Sequence, residues 1–326
     1  SLTLAIGITL SWLLAPLAAP VAGAPSPHWA RLRERGTALG FALARLAVRL
    51  GGRRGGRALL AGVAAWFWLT DARRRGWCQA YLRRIGSRRQ GRDSLALFVR
   101  FAWRGLDNFL ALARPELAPP VQVAGLEAVR PLLAAGCGGV LLVSHHGNVE
   151  ICRSVLAGGL GRRMTVLMHT AQAARYNALM RRLGREGATE TLEVGAFGPA
   201  AAMALAERVE AGEWIAIAAD RPPLSGERRA CRVPFLGAPA AFAEGPFLIA
   251  ALLGCPVVAL FCTAGEAGYT ARLERFAERI VLPRHEREAA LAEWAARYAA
   301  RLEAECRREP LQWFNFFDFW AADEAA

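Results

Sequence analysis

Hydrophobic and polar positions follow two different rhythms along this chain. Between residues 28 and 114, apolar residues recur every three or four positions with arginines set among them, which predicts helices. Beyond residue 119 the rhythm changes. Short apolar runs rich in β-branched residues alternate with stretches of helical spacing. Strands are predicted at 138–144, 163–169, 214–219 and 256–262, with weaker ones near 190–194 and 268–276. Helices are predicted at 149–158, 172–184, 198–211, 244–253 and 285–306. The alternation specifies an α/β fold: a mixed, mostly parallel central sheet flanked by helices, preceded by an α-helical arm. Pro115–Pro120 interrupts the pattern between the two regimes. The expected division is therefore 1–27, 28–118 and 119–326.

The first two segments carry a membrane signal. Residues 2–24 are apolar and uncharged, with Pro16 and Pro20 inside. A membrane anchor, a signal peptide and the tail of a preceding module all fit them, and membrane attachment is favoured because no basic stretch precedes the apolar run. Residues 37–50 then place Leu39, Phe41, Leu43, Leu46, Val48 and Leu50 among Arg45 and Arg49, which share one helix face. That is the pattern of a basic amphipathic helix at a membrane surface, and equally of a helix packed on a core with two solvated arginines. The glycine cluster Gly51–Gly56 is expected to end this helix. Residues 59–70 and 78–114 continue as helices.

Charge sharpens the division. Net charge is +13, and every basic residue is arginine. Residues 28–114 hold 19 arginines against four acids, whereas the rest of the chain holds 22 against 24. The basicity thus belongs to the arm, and its partners are an anionic lipid surface or an acidic protein. Interleaved arginines and aliphatics, without stacking aromatics between the arginines, fit membrane and not nucleic acid. Mean hydropathy is +0.21, yet after residue 27 no uncharged apolar run reaches the roughly 18 residues of a spanning helix. Seven cysteines, without a C-x-x-C pair, indicate a reduced compartment and no zinc site.

The candidate chemistry sits where the first long strand meets a helix, in Ser144-His145-His146-Gly147-Asn148-Val149-Glu150. The chain has five histidines, and two lie together at this turn. With His145 at the strand end and Glu150 in the first helical turn, the carboxylate can reach one imidazole nitrogen and leave the other for a proton. Ser144 precedes His145 on an extended strand, so the two side chains point to opposite faces and a Ser–His nucleophile is disfavoured. A second strand ends in Asp220-Arg221, which parallel packing would bring to the same sheet edge. There Arg221 can clamp a phosphate or carboxylate, or the pair can merely cap its own loop. Arg228, Arg229 and Arg232 follow in the next loop, either solvated or holding an anionic head group. No G-x-S-x-G, Walker A or Rossmann motif is present.

HHGNVE resembles the H-x4-[D/E] signature of the lysophospholipid acyltransferase superfamily, in the H-x-G-N-x-E form of the lipid A biosynthesis (late) acyltransferases. The strand ending in Asp220, Pro234-Phe235-Leu236-Gly237 and the helix start Gly245-Pro246 keep that family's order. Arg175 and Asn177 are similar to its intervening helix. Two positions depart. Glu244-Gly245-Pro246-Phe247 lacks the hydroxyl and arginine of the E-G-T-R motif, which argues against a phosphatidic-acid-forming enzyme. Met168-His169-Thr170 stands where lipid A enzymes carry an arginine, which leaves the acceptor open.

The resemblance implies a membrane-associated O-acyltransferase at the cytoplasmic face of the inner membrane. It would move a fatty acyl group from acyl carrier protein or coenzyme A to a hydroxyl of a lipid or glycolipid. His145 would be the base and Glu150 its partner. Gly147, Asn148, Asp220, Arg221 and Arg232 would bind substrate, and backbone N–H groups near Gly147 would meet the oxyanion. No metal or bound cofactor is expected. The alternatives are a non-catalytic binder of anionic membranes and an acyl thioesterase. The aromatic run Trp313–Trp320 packs on the body, lines an acyl pocket or meets a membrane interface.

Overall fold

The computed structural model describes residues 38–152, 163–168, 189–193, 198–221 and 230–320. The chain divides into two compact units. The first holds the residues up to Pro119 and the chain from Glu309 onward, and the second runs essentially from Pro120 to Arg308. Residues 2–24, the predicted helix 172–184 and the loop bearing Arg228 and Arg229 lie outside the described residues.

The first unit contains α1 (Ala38–Thr70), α2 (Ala72–Arg84), α3 (Gln90–Ala113) and a 3-10 turn at Pro115–Leu117. The expected stop falls at Gly52, whose backbone (φ 57°, ψ −149°) is not helical, and a second helical segment begins directly after it, so α1 is two segments joined across a kink. Packing holds the second segment close. A Cβ on Gly56 would stand 2.8 Å from Val48 and 3.0 Å from Leu106. The glycine therefore lets α1 approach α3. Between them Asp107, fully buried, accepts hydrogen bonds from Arg53 (2.8 and 3.0 Å) and Arg57 (3.0 Å). A buried carboxylate without those partners would cost several kcal/mol. Asp71 caps α2 by accepting from the Arg74 N–H at 3.0 Å.

The aromatic end of the chain belongs to this unit and not to the α/β body in which residues 119–326 were grouped. The Tyr81 hydroxyl donates to the Pro310 carbonyl at 2.9 Å. Phe98 and Phe316 meet edge to face, as do Tyr81 and Trp313, each pair with centroids 5.0 Å apart. Such pairs bury large apolar areas in a fixed geometry. They also explain why this aromatic density is not a solvated tail.

The second unit is built on a seven-stranded sheet. In chain order it supplies β1 (Val121–Ala124), α4 (Leu126–Ala134), β2 (Gly139–Gly147), β3 (Met164–Met168) and β4 (Thr189–Glu193). There follow α5 (Pro199–Glu210), β5 (Trp214–Ala218), the hairpin β6 (Ala230–Phe235) and β7 (Ala238–Ala243), and α6 (Gly245–Leu253). Then come β8 (Val257–Ala264), β9 (Tyr269–Ala277) and α7 (Arg287–Arg308). Sheet order is β1-β9-β8-β2-β5-β3-β4, with β6 and β7 paired separately. All neighbours are parallel except β8 with β9, so the sheet is mixed and mostly parallel, as expected. Each predicted strand is present.

Strand β2 sits between β8 and β5. Every one of its residues is buried except His145. A continuous apolar run is what a parallel strand covered on both faces requires. Helix α7 buries Leu291, Ala295, Tyr298, Leu302 and Cys306, a stripe at helical spacing. Its Tyr298 reaches the strand that carries His145.

Candidate active site

Three local features present His145. The first is a bulge. Val143 pairs with Leu260, and the next register pair is Gly147 with Cys262, so Ser144, His145 and His146 together oppose Phe261 alone. Extra residues bend a strand and re-aim its side chains. The second is Gly147, at φ 71°. A Cβ there would lie 1.6 Å from the Cys262 carbonyl oxygen, so only glycine fits. The third is the Asn148 N–H, which donates to that same carbonyl at 2.7 Å and starts the helical turn Val149–Cys152. Glu150 lies in this turn, half-buried.

The neighbouring strand supplies the carboxylate. The Ala219 N–H donates to the Val143 carbonyl at 2.9 Å, which carries the β2–β5 pairing one step past the strand end. Asp220, only 1% exposed, then lies beside His145. One of its oxygens accepts the His145 main-chain N–H at 2.7 Å, and the other meets Nδ1 at 2.8 Å. Burial alone would raise the pKa of this carboxyl. The charge and hydrogen bonds of His145, with Arg221 nearby, outweigh burial and hold it at about 2. The ionised carboxylate fixes the imidazole with its proton on Nδ1, which leaves Nε2 to take a proton. Arg221 Nε stands 3.2 Å from the same Nδ1. A nitrogen that donates to Asp220 has no lone pair left, so Arg221 acts there through charge.

His145 and His146 are separated by environment. The His145 side chain is 33% exposed, whereas His146 is fully buried with its N–H directed at Ser144 Oγ, 3.3 Å away. Ser144 is buried as well. Beneath the strand end, the Tyr298 hydroxyl donates to the Val143 carbonyl at 2.8 Å. Burial, and then the charge of Asp220, push the Tyr298 phenol well above its usual range, so it stays protonated. Val143 O thus accepts two hydrogen bonds, one from the strand bearing Asp220 and one from α7. Cys152 is no nucleophile. Hydrogen bonding to Cys262 and burial push its thiol well above normal, away from the reactive thiolate.

Of the residues singled out in the sequence, His145, Gly147, Asn148, Asp220 and Arg221 meet at one sheet edge. Arg232 does not belong to that sheet. It is exposed on the hairpin, paired with Ala241. Asn148 is fully buried, and neither polar atom of its amide has a partner among the described residues. Sequence reasoning assigned Asp220 to substrate and missed that its carboxylate holds the imidazole. The signal was present, since the acid ends the next predicted strand of the body, but only strand order makes the two neighbours. Tyr298 was missed altogether, because one tyrosine on an amphipathic helix carries no mark of its target. Among the described residues no group of three His, Cys, Asp or Glu could hold a metal ion.

The sequence pattern of the bacterial lipid A biosynthesis acyltransferases matches residues 93–321, from α3 through both units. The chain belongs to this family. It is therefore an acyltransferase, and the family implies an acyl donor and a lipid-like acceptor. His145, Glu150, Asp220 and Tyr298 all fall inside the matched span. No curated protein matches the chain. Members of the family are typically membrane-associated, and no described helix here is long and apolar enough to cross a membrane.

Proposed function

We propose that this acyltransferase moves a fatty acyl group from a thioester, on acyl carrier protein or coenzyme A, to a hydroxyl of a lipid or glycolipid. The same proposal sites the reaction at the cytoplasmic face of the inner membrane. The observation that carries the reading is the Asp220–His145 pair at the edge of a parallel sheet, where α/β proteins site their chemistry. His145 Nε2 takes the proton of the acceptor hydroxyl. The oxygen attacks the thioester carbonyl carbon, and the tetrahedral oxyanion collapses. The new C–O ester bond remains, the C–S bond breaks, and the imidazolium returns its proton to the leaving thiolate. Asp220 holds the ring through Nδ1 and stabilises the imidazolium while it exists. Glu150, in the helical turn after the bulge, is proposed to support the imidazolium as a second carboxylate beside Asp220.

The Asn148 N–H is committed to Cys262, so backbone donation to the oxyanion cannot come from it. The unmatched Asn148 amide is proposed in its place, and a ligand reaches it only when the turn opens. A side-chain donor to the oxyanion contributes roughly 3 kcal/mol in other acyl-transfer sites. Arg221 is proposed to meet an anionic group of the acceptor. The reading is tested by incubating the purified protein with acyl-thioester and a bacterial lipid extract, followed by mass spectrometry. A lipid heavier by one acyl group is expected with the native chain and absent with His145→Ala. Release of free fatty acid with no acylated lipid would make the chain a thioesterase.

A further inference from the structure

Past its bend at Gly52, helix α1 turns an apolar face outward. Its exposed residues are Arg54, Ala58, Gly62 and Trp66, then Leu69 and Thr70, a single line at i, i+4 spacing. Trp66 is 49% exposed and Leu69 is 65% exposed. A helix packed by one side normally puts its charges on the other. Here the inward side holds Arg53 and Arg57 on buried Asp107, while the outward line from Ala58 to Thr70 has no charge. The Trp66 ring stands edge-on against buried Phe67, centroids 4.6 Å apart, so it is held outward by packing.

Arginines mark both ends of the line. Arg54 is exposed at the start. Arg73, exposed at the start of α2, stacks over Trp77 at 5.0 Å. Arg75 stacks over Trp68 at 5.2 Å and donates to the Leu69 carbonyl at 3.1 Å, capping the end of α1. Helix α1 carries five arginines and no acid.

We propose that this face docks on an anionic phospholipid bilayer. Trp66 and Leu69 enter the boundary between head groups and acyl chains, and Arg54 and Arg73 meet phosphates. The proposal deepens the reading of the acceptor as a lipid and rests on it. Charge selects the bilayer over a second copy of the chain. A two-fold contact sets the same patch against itself, arginine facing arginine with no acid on the helix to answer.

The test uses the full chain and vesicles of equimolar phosphatidylglycerol and phosphatidylcholine whose acyl chains carry bromine, a contact quencher of tryptophan. Native protein should lose an increment of fluorescence on binding that Trp66→Phe does not lose. Equal quenching of the two overturns the proposal. Trp66→Gln with Leu69→Gln should weaken partitioning about tenfold, since apolar burial drives it, with unchanged helix content and melting temperature. Unweakened partitioning overturns the proposal too. So would a lipid-free native dimer that this double variant converts to monomer, for the face would then be a contact between copies. Acyl transfer to a detergent-dispersed acceptor should be unaffected by the same variant. A Trp66-dependent increment without any acyl transfer leaves the docking face standing and removes the enzymatic reading alone.

Discussion

Asp220 serves His145 with both carboxylate oxygens, one on the main chain and one on the ring. Asn in its place offers a single acceptor oxygen, so one of the two contacts is lost or the imidazole takes the wrong tautomer. Activity should fall roughly 10³–10⁴-fold in Asp220→Asn, the scale seen when a triad aspartate is amidated. The same carboxylate predicts an acid signature. Its folded pKa of about 2 lies below the ordinary 3.8, so its stabilisation is complete above pH 4 and disappears as pH falls toward 2. The amount is about 2 kcal/mol. In urea titrations across that range, the stability gap between the native chain and Asp220→Asn should close as pH drops. A constant gap would mean that the carboxylate charge contributes nothing. Glu150→Gln is expected to lose most activity while melting as the native chain does. Full activity would leave Glu150 as an acid favourable only to its helix N-terminus.

The β2 strand ends three residues later than its apolar letters indicate. The sequence placed the end at Ser144, because two histidines and a glycine resemble a turn, whereas the strand bulges and continues to Gly147. The candidate site was legible as a strand-to-helix junction. The bulge was not, since its cause is a neighbour more than a hundred residues away, Cys262 on β8. Gly147→Ala tests this dependence. A Cβ driven toward the Cys262 carbonyl at positive φ should cost about 3 kcal/mol or more and abolish transfer. An alanine variant that melts normally and turns over normally would contradict the geometry. The Gly51–Gly56 cluster holds two uses of one residue type. Gly52 is the helix break that the cluster announces, whereas Gly56 is small so that Leu106 and Val48 can approach it. Tertiary contact decides between the two uses, and local sequence does not contain it.

The alternation of strand and helix made the α/β body and its helical arm visible, because each buried parallel strand needs an unbroken apolar run. Strand order was hidden. It places β5 beside β2 and so turns two separate polar strand ends, 75 residues apart, into one site. The aromatic end from Glu309 was likewise illegible in its destination, although its density announced that it packs. Membership of the lipid A acyltransferase family supplies the reaction class, and in the proposed mechanism the Asp220–His145 pair supplies the base. The most direct measurement of that claim is the rate of acyl transfer by His145→Ala, Asp220→Asn and the double variant. Residues that act as one unit are strongly non-additive. The double variant should therefore be no slower than His145→Ala, itself down at least ~100-fold. A double variant slowed by the product of the two single losses, or an Asp220→Asn enzyme of native rate, would contradict the account.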